Sequence, residues 1–140
     1  QEYQIDYYKN KFLKYINPGF IKCVTDENDE LVAFAITMPS FSNALKKIKG
    51  KVDLIGKLRL LHAKNFNSKG SLYLIGVRPD FQNKGVIAIL FNELQKFYNK
   101  FGITEVETNP ELIENTAIQQ LWKNYENNQH KNRATFTKQI

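Results

Sequence analysis

The 140-residue chain is 42% hydrophobic and carries a net charge of +6, enough apolar sequence for one domain with its own core and too much for a disordered tail. Its single Cys excludes an internal disulfide scaffold and predicts a reducing, cytoplasmic setting. Seventeen of the 20 cations are Lys, a solvated pattern that argues against nucleic acid, whose recognition leans on Arg.

No apolar run reaches membrane-spanning length, which predicts a soluble protein without a membrane partner. His62 and His130 are the only imidazoles, and neither sits in a ligand-spaced cluster, so no metal site is expected. The absence of an initiating Met predicts a piece of a longer protein.

In chain order, Ile5, Tyr8, Phe12, Leu13 and Ile16 fall on one helical face that Asn17-Pro18-Gly19 ends. Residues 20–25 and 30–38 are β-branched, apolar runs joined by Asp-Glu-Asn-Asp, a hairpin signal. Cys23 lies in the first run and reads as a small buried hydrophobe. Helical spacing returns over residues 41–48 and 54–63, separated by Lys49-Gly50-Lys51. The lysines there (Lys46, Lys47, Lys49, Lys51) read as a solvated face, and His62, beside Leu58 and Leu61, as structural.

The most informative stretch is Ser71 to Gly102. Leu72, Tyr73, Leu74, Ile75 and Val77 form a near-continuous apolar run, predicting a strand buried on both faces. Pro79 cannot continue a central ladder, so residues 78–84 are loop. Ile87, Leu90, Phe91, Leu94, Phe97, Tyr98 and Phe101 then mark a helix, and Gly102 supplies a left-handed stop. A strand-to-helix junction leaves the first helical N–H groups unpaired at the positive end of the dipole, where an anion fits. Gly85 lets a phosphate approach the backbone, and Arg78 and Lys84 are candidates for charged contacts. A purely steric reason for Gly85 is the alternative.

Residues 103–108 alternate as a strand with Val106 on one face and Glu105 and Glu107 on the other. Asn109-Pro110-Glu111 reads as a helix opening, continued by Ile113, Ala117, Leu121, Trp122 and Tyr125. The closing residues 133–140 alternate loosely, predicting a last strand. This order predicts an α/β fold with helices on both faces of one mixed sheet.

Val77, Pro79, Phe81, Gln82, Gly85, Ala88 and Leu90, in VRPDFQNKGVIAIL, resemble the cofactor motif of the GNAT superfamily of acyl-CoA N-acyltransferases. That motif has Gln or Arg, then Gly three residues on, then a second small residue two further; Ile87 occupies the last position here and Ala88 follows it. The resemblance implies a mixed, mostly antiparallel sheet with a helical insertion before the central strand. Residues 1–140 would form a single domain lacking the usual first strand, with an N-terminal partner domain or a homodimer completing the sheet. The insertion either covers the acceptor site or decorates the sheet edge.

The implied cofactor is acetyl-CoA or coenzyme A. Its pyrophosphate would be held by the loop Gln82, Asn83, Lys84, Gly85, Val86, Ile87 and Ala88, with Asn115 contributing, and its pantetheine arm by the backbone of Ile75 and Val77. The thioester end would point towards Tyr73 and Asn109. The implied reaction is direct attack by the amine of a small-molecule or peptide acceptor on the thioester carbonyl. Glu105 or Glu107 is the candidate base. The family's usual acid, a Tyr seven residues after an Asn, falls on Trp122 when counted from Asn115, leaving Tyr125 or Tyr73 as substitutes, or positioning alone. The alternative is a non-catalytic module that binds acyl-CoA or a protein partner.

Overall fold

A computed structural model describes residues 6–7, which are helical, and 17–138; Ile5, Tyr8, Phe12, Leu13 and Ile16, on which the expected first helix rests, lie outside the described residues. A hairpin opens the sheet. Its strands β1 (Ile21–Thr25) and β2 (Leu31–Pro39) pair antiparallel, with Cys23 opposite Phe34. The turn closes because Asp26 Oδ1 accepts the amides of Asn28 (3.0 Å) and Glu30 (3.1 Å), while Asp29 takes the left-handed conformation at φ 60°.

Two helices follow, α1 (Ser42–Ile48) and α2 (Leu54–Asn65), the second capped by Asp53, whose Oδ1 accepts the Gly56 amide at 2.7 Å. They lead into β3 (Lys69–Val77), antiparallel to β2, and α3 (Val86–Phe101) then carries the chain to β4 (Glu105–Thr108). The strand order is β1-β2-β3-β4. A helical crossover between β3 and β4 sets them parallel and makes the sheet mixed, the α/β class that the element order implies. A last helix, α4, covers Thr116–Trp122.

The core lies between α3 and the face of β1 and β2. Leu90 and Leu94 are each 1% exposed, and Val86 and Tyr98 share their stripe. Ala33 and Ala35 are fully buried beneath that stripe, and small side chains there let the helix approach the sheet. Thr37 is buried with them; its hydroxyl donates to the Phe20 carbonyl at 2.8 Å, so the polar group is satisfied. Burial pushes the Tyr98 phenol pKa up, against a hydrogen bond with Thr37. Gly102 closes the helix at φ 68°, and the Ile103 amide reaches back to the Tyr98 carbonyl at 2.9 Å.

Four expectations change. Cys23 is exposed rather than buried, because its neighbour Lys22 takes the face towards α3, lying 4.8 Å from the Phe97 ring centre. β3 is not buried on both faces: Leu72 is buried, but Tyr73 and Leu74 are exposed. α4 begins at Asn115, whose Oδ1 accepts the Ile118 amide at 3.4 Å, not at Asn109. The turn before it is held by Gln119, whose side chain donates to the Leu112 and Ile113 carbonyls (3.3 and 2.9 Å) that a longer helix would have used internally. Finally, residues 131–138 form no strand and are all exposed.

The chain divides into two compact units, Gln1–Glu107 and Thr108–Ile140. Within the second, no described residue is buried.

Candidate active site

The site grows from an irregularity in β3. Leu74 pairs with Ile36 and Leu72 with Thr37, so the register shifts by one residue and Tyr73 is the extra residue of β3 between the two pairs. This is a β-bulge, which bends a strand and re-aims its side chains. Tyr73 is 42% exposed there.

Beyond the bulge, the ladder fixes which way the backbone points. The Arg78 amide donates to the Val32 carbonyl at 2.8 Å, making that pair a hydrogen-bonded one. Hydrogen-bonded and non-bonded pairs alternate in an antiparallel ladder. Gly76–Phe34 is therefore bonded, whereas Ile75–Ala35 and Val77–Ala33 are not, and the N–H and C=O groups of Ile75 and Val77 turn to the other edge of the strand. Gln82 confirms this for Val77, since its Nε2 donates to the Val77 carbonyl at 3.4 Å.

Among the described residues, no strand lines that other edge along its whole length. β4 meets β3 at the start, where the amides of Thr104 and Glu105 donate to the Ser68 carbonyl (2.8 and 3.2 Å) and Lys69 pairs with Glu105. With four residues, about 13 Å of strand, β4 is too short to accompany the nine residues of β3 to their end.

The chain leaves β3 through a 3-10 turn, Pro79–Phe81, and enters α3. Gln82 and Ala88 use their amides internally, on the carbonyls of Pro79 (3.3 Å) and Gly85 (3.0 Å). Between them, the five amides of Asn83, Lys84, Gly85, Val86 and Ile87 meet no acceptor among the described residues. Asn83 and Gly85 both adopt positive φ, 60° and 77°, an alternation that turns successive N–H groups into one concavity. Nothing lies within 4 Å of the position a Gly85 Cβ would take, so the space above the loop is open. The 16-residue helix behind adds its positive dipole end.

Charge is organised around the same turn. Arg78 donates to Asp80 (2.9 Å), Glu30 (3.1 Å) and Asp26 (3.3 Å), and its guanidinium carbon lies 4.6 Å from the Phe81 ring centre. The Asp80 hydrogen bond raises the Arg78 pKa, and the same bond lowers that of Asp80. Burial pushes the Asp26 carboxyl up, but the Asn28 and Glu30 amides and Arg78 outweigh it and the carboxyl sits below its ordinary value. Arg78 is thus committed to carboxylates rather than offered to an anion. Lys84 is exposed, with Nζ 5.1 Å from the Phe81 ring centre.

The sequence profile described as the acetyltransferase (GNAT) family matches residues 1–125. The chain belongs to that family. Solved structures share the GNAT fold at low identity. Aminoglycoside acetyltransferase AAC(6')-Iy, solved with the bisubstrate analogue CoA-S-monomethyl-acetylneamine, aligns at TM-score 0.52 and 16% identity over 86% of this chain and 69% of its own. Aminoglycoside acetyltransferase meta-AAC0020, from an uncultured soil metagenomic sample and solved with sisomicin, aligns at 0.51 and 12% over 86% of this chain. This chain spans 64% of that protein, less than two thirds of its length. A ribosomal-protein-alanine N-acetyltransferase from Brucella melitensis biovar Abortus 2308 aligns at 0.51 and 14%, over 83% of this chain and 70% of its own. No curated protein matches the chain.

In this GNAT chain, Tyr73, Ile75, Val77, Glu107 and the loop 82–88 all lie in the first compact unit, whereas Asn109, Asn115 and Tyr125 lie in the second. Glu107 is partly buried; Glu105 is exposed and held by Lys69. In the second unit, Asn115 Oδ1 caps α4, and Trp122 Nε1 donates to both Glu111 carboxylate oxygens (2.9 and 3.0 Å). Tyr125 stacks edge-on to Trp122 with ring centres 6.3 Å apart.

Residue-by-residue reading missed the carboxylate collar of Arg78. The signals were present as an acid-rich turn at 26–30 and an Arg after a strand, but 48 and 52 positions separate Arg78 from Glu30 and Asp26, and no local pattern spans that distance.

Proposed function

We propose that this GNAT domain is an acyl-CoA-dependent N-acyltransferase that transfers an acetyl or related acyl group to an amine. The observation that carries the reading is the run of five unpaired amides from Asn83 to Ile87 at the start of α3. A diphosphate is the complementary ligand: it accepts several hydrogen bonds at once and gains from the helix dipole. The residues present therefore fit coenzyme A. The amides of Asn83 to Ile87 would hold its diphosphate, Lys84 would add a charge, and the outward edge of Ile75 and Val77 offers peptide groups to its amide-rich arm. When bound, acyl-CoA supplies an activated thioester.

This chain's own residues then orient the acceptor and handle the proton. A neutral amine must lose a proton as its N–C bond forms, and the departing thiolate must gain one. Glu107 is the proposed base. Tyr73, re-aimed by the bulge, is the proposed donor in the same unit; the roles proposed for Tyr125 as a donor, Asn109 at the acceptor and Asn115 at the cofactor rest on the family resemblance alone. The acceptor class, a small molecule or a peptide amine, rests on the aminoglycoside and ribosomal-protein acetyltransferases that share the fold. β1 is an edge of the described sheet, and a further strand, from an N-terminal neighbour or a second copy, is proposed to cover it. The lone Cys supports a cytoplasmic setting.

A second reading, a domain that binds acyl-CoA without turnover, is favoured by one contact. Trp122, at the position of the family's usual acid, commits its N–H to Glu111. Thermal unfolding with acetyl-CoA tests binding: a ligand at one hundred times its Kd adds about 2.7 kcal/mol to the native state. Absence of any such gain rules out both readings. Thiol release in the presence of an amine panel then separates them, because only the enzyme turns over.

A further inference from the structure

The insert between β2 and β3 carries its leucines on the wrong side for a core. α2 packs on α1 and the loop between them through a small side chain: Gly56 is its only buried residue, and an added Cβ there would come 2.8 Å from the Lys51 carbonyl oxygen and 3.4 Å from the Ile48 side chain. Ala63 and Leu60 flank that inner face and are partly buried. On the opposite side, Leu54, Leu58 and Leu61 recur at helical spacing and are 76%, 59% and 56% exposed. Ile55 and Phe66 extend the apolar surface on one flank, and Lys57 and Lys64, seven residues apart, line the other. A surface helix ordinarily turns this stripe inwards.

Charge shows what kind of surface covers it. Residues 42–66 hold seven of the 20 cations and one of the 14 acidic groups, so their net charge of +6 equals that of the entire chain. The rest of the molecule is neutral. A second copy docking through the same face would set two such charges against each other, which disfavours self-association there. Outward leucines bordered by lysines match a helix that lies in the plane of an anionic lipid surface, with its apolar side in the acyl boundary and its lysines at the head groups. No helix of the described residues is long and apolar enough to cross a membrane, and at 12 residues α2, about 18 Å long, is suited to lying on one.

We propose that the α1–α2 insert is a docking surface for anionic lipid bilayers. The sequence expectation of no membrane partner rested on the absence of a span, and surface attachment needs none. The proposal is independent of acyl transfer.

The test is co-sedimentation of the full chain with extruded vesicles of phosphatidylcholine mixed with phosphatidylglycerol, against vesicles of phosphatidylcholine alone. Binding to the mixed vesicles and not to the neutral ones is expected. It should weaken as salt shortens the Debye length from about 10 Å at 0.1 M to about 3 Å at 1 M. Lys57→Glu with Lys64→Glu should weaken it by more than about tenfold, since each cation near such a surface is worth about fivefold. Leu54→Ser/Leu58→Ser/Leu61→Ser should cost at least about tenfold by removing buried apolar area. All five side chains are exposed, so both variants should keep the parent's unfolding midpoint to within a few degrees. Equal sedimentation with neutral vesicles, none with either, or an unaffected leucine variant overturns the proposal; an acidic protein partner for this face would give the second result.

Discussion

α3 and α4 were both legible as amphipathic spacing, yet only one forms as far as its spacing runs. α3 extends over all 16 residues from its first apolar position to Gly102, whereas α4 covers seven and begins after Leu112 and Ile113. The difference is burial. Leu90 and Leu94 close against Ala33 and Ala35, while Ile113 is 85% exposed. Most helical stability comes from packing an apolar face, so spacing is an offer that tertiary structure accepts or declines.

The strongest way to break this comparison is to truncate one stripe and then the other. Leu94→Ala should lower stability by about 2–5 kcal/mol, read from urea unfolding, because a 1% exposed side chain leaves a cavity. Ile113→Ala should stay within about 0.5 kcal/mol. Comparable losses at both positions would show that the second unit buries its apolar residues after all.

Next in size is the loop that precedes α3. Gly85→Glu places a side chain and a negative charge where the five free amides converge, at a backbone φ of 77° that only Gly adopts without strain. The acetyl-CoA stabilisation, about 2.7 kcal/mol at one hundred times Kd, should vanish. The ligand-free protein should lose only about 1 kcal/mol, the cost of a left-handed side chain. Retained stabilisation would move the cofactor elsewhere.

Much of this region was readable because its signals are local. Pro79, Gly85 and Gly102 punctuate a strand, a loop and a helix, and each residue acts through its own backbone. What was not readable depends on pairing across the chain. The bulge at Tyr73 exists only relative to Ile36 and Thr37. The outward leucines of α2 show the same limit in another form: spacing says that Leu54, Leu58 and Leu61 share a face but not whether that face looks inwards. Gly56 and Ala63, small and opposite, were the available clue.

A subtler comparison sets Arg78 against Lys84, one cation tied to three carboxylates and the other exposed. Arg78→Gln should act on the cofactor loop through its scaffold, raising KM for acyl-CoA about tenfold and leaving kcat within about twofold, the signature of lost uniform binding. Lys84→Gln should raise the same KM less, and the difference should shrink in high salt because an exposed charge is screened. Equal effects, or a fall in kcat with Arg78→Gln, would give Arg78 a direct part in the chemistry.

The smallest effect is a pH dependence, and its sign follows from the same collar. Asp26 and Asp80 titrate below their ordinary value of 3.8 in the folded protein, so the native state binds fewer protons than the unfolded chain near that pH. Their contribution is complete above the unfolded pKa and disappears as pH falls through the folded one. Tyr98 works in the opposite direction: its pKa is raised above 10, so its contribution is complete below that value and is lost as pH climbs past it. Unfolding midpoints should therefore decline at both extremes. Arg78→Gln should shrink the acid limb without abolishing it, since the Asn28 and Glu30 amides still hold Asp26 down, and should leave the alkaline limb unchanged, whereas Tyr98→Phe should leave the acid limb and flatten the alkaline one. An acid limb that survives Arg78→Gln in full would assign the loss to carboxylates held by other groups, Asp26 through the Asn28 and Glu30 amides and Glu93 through Lys96.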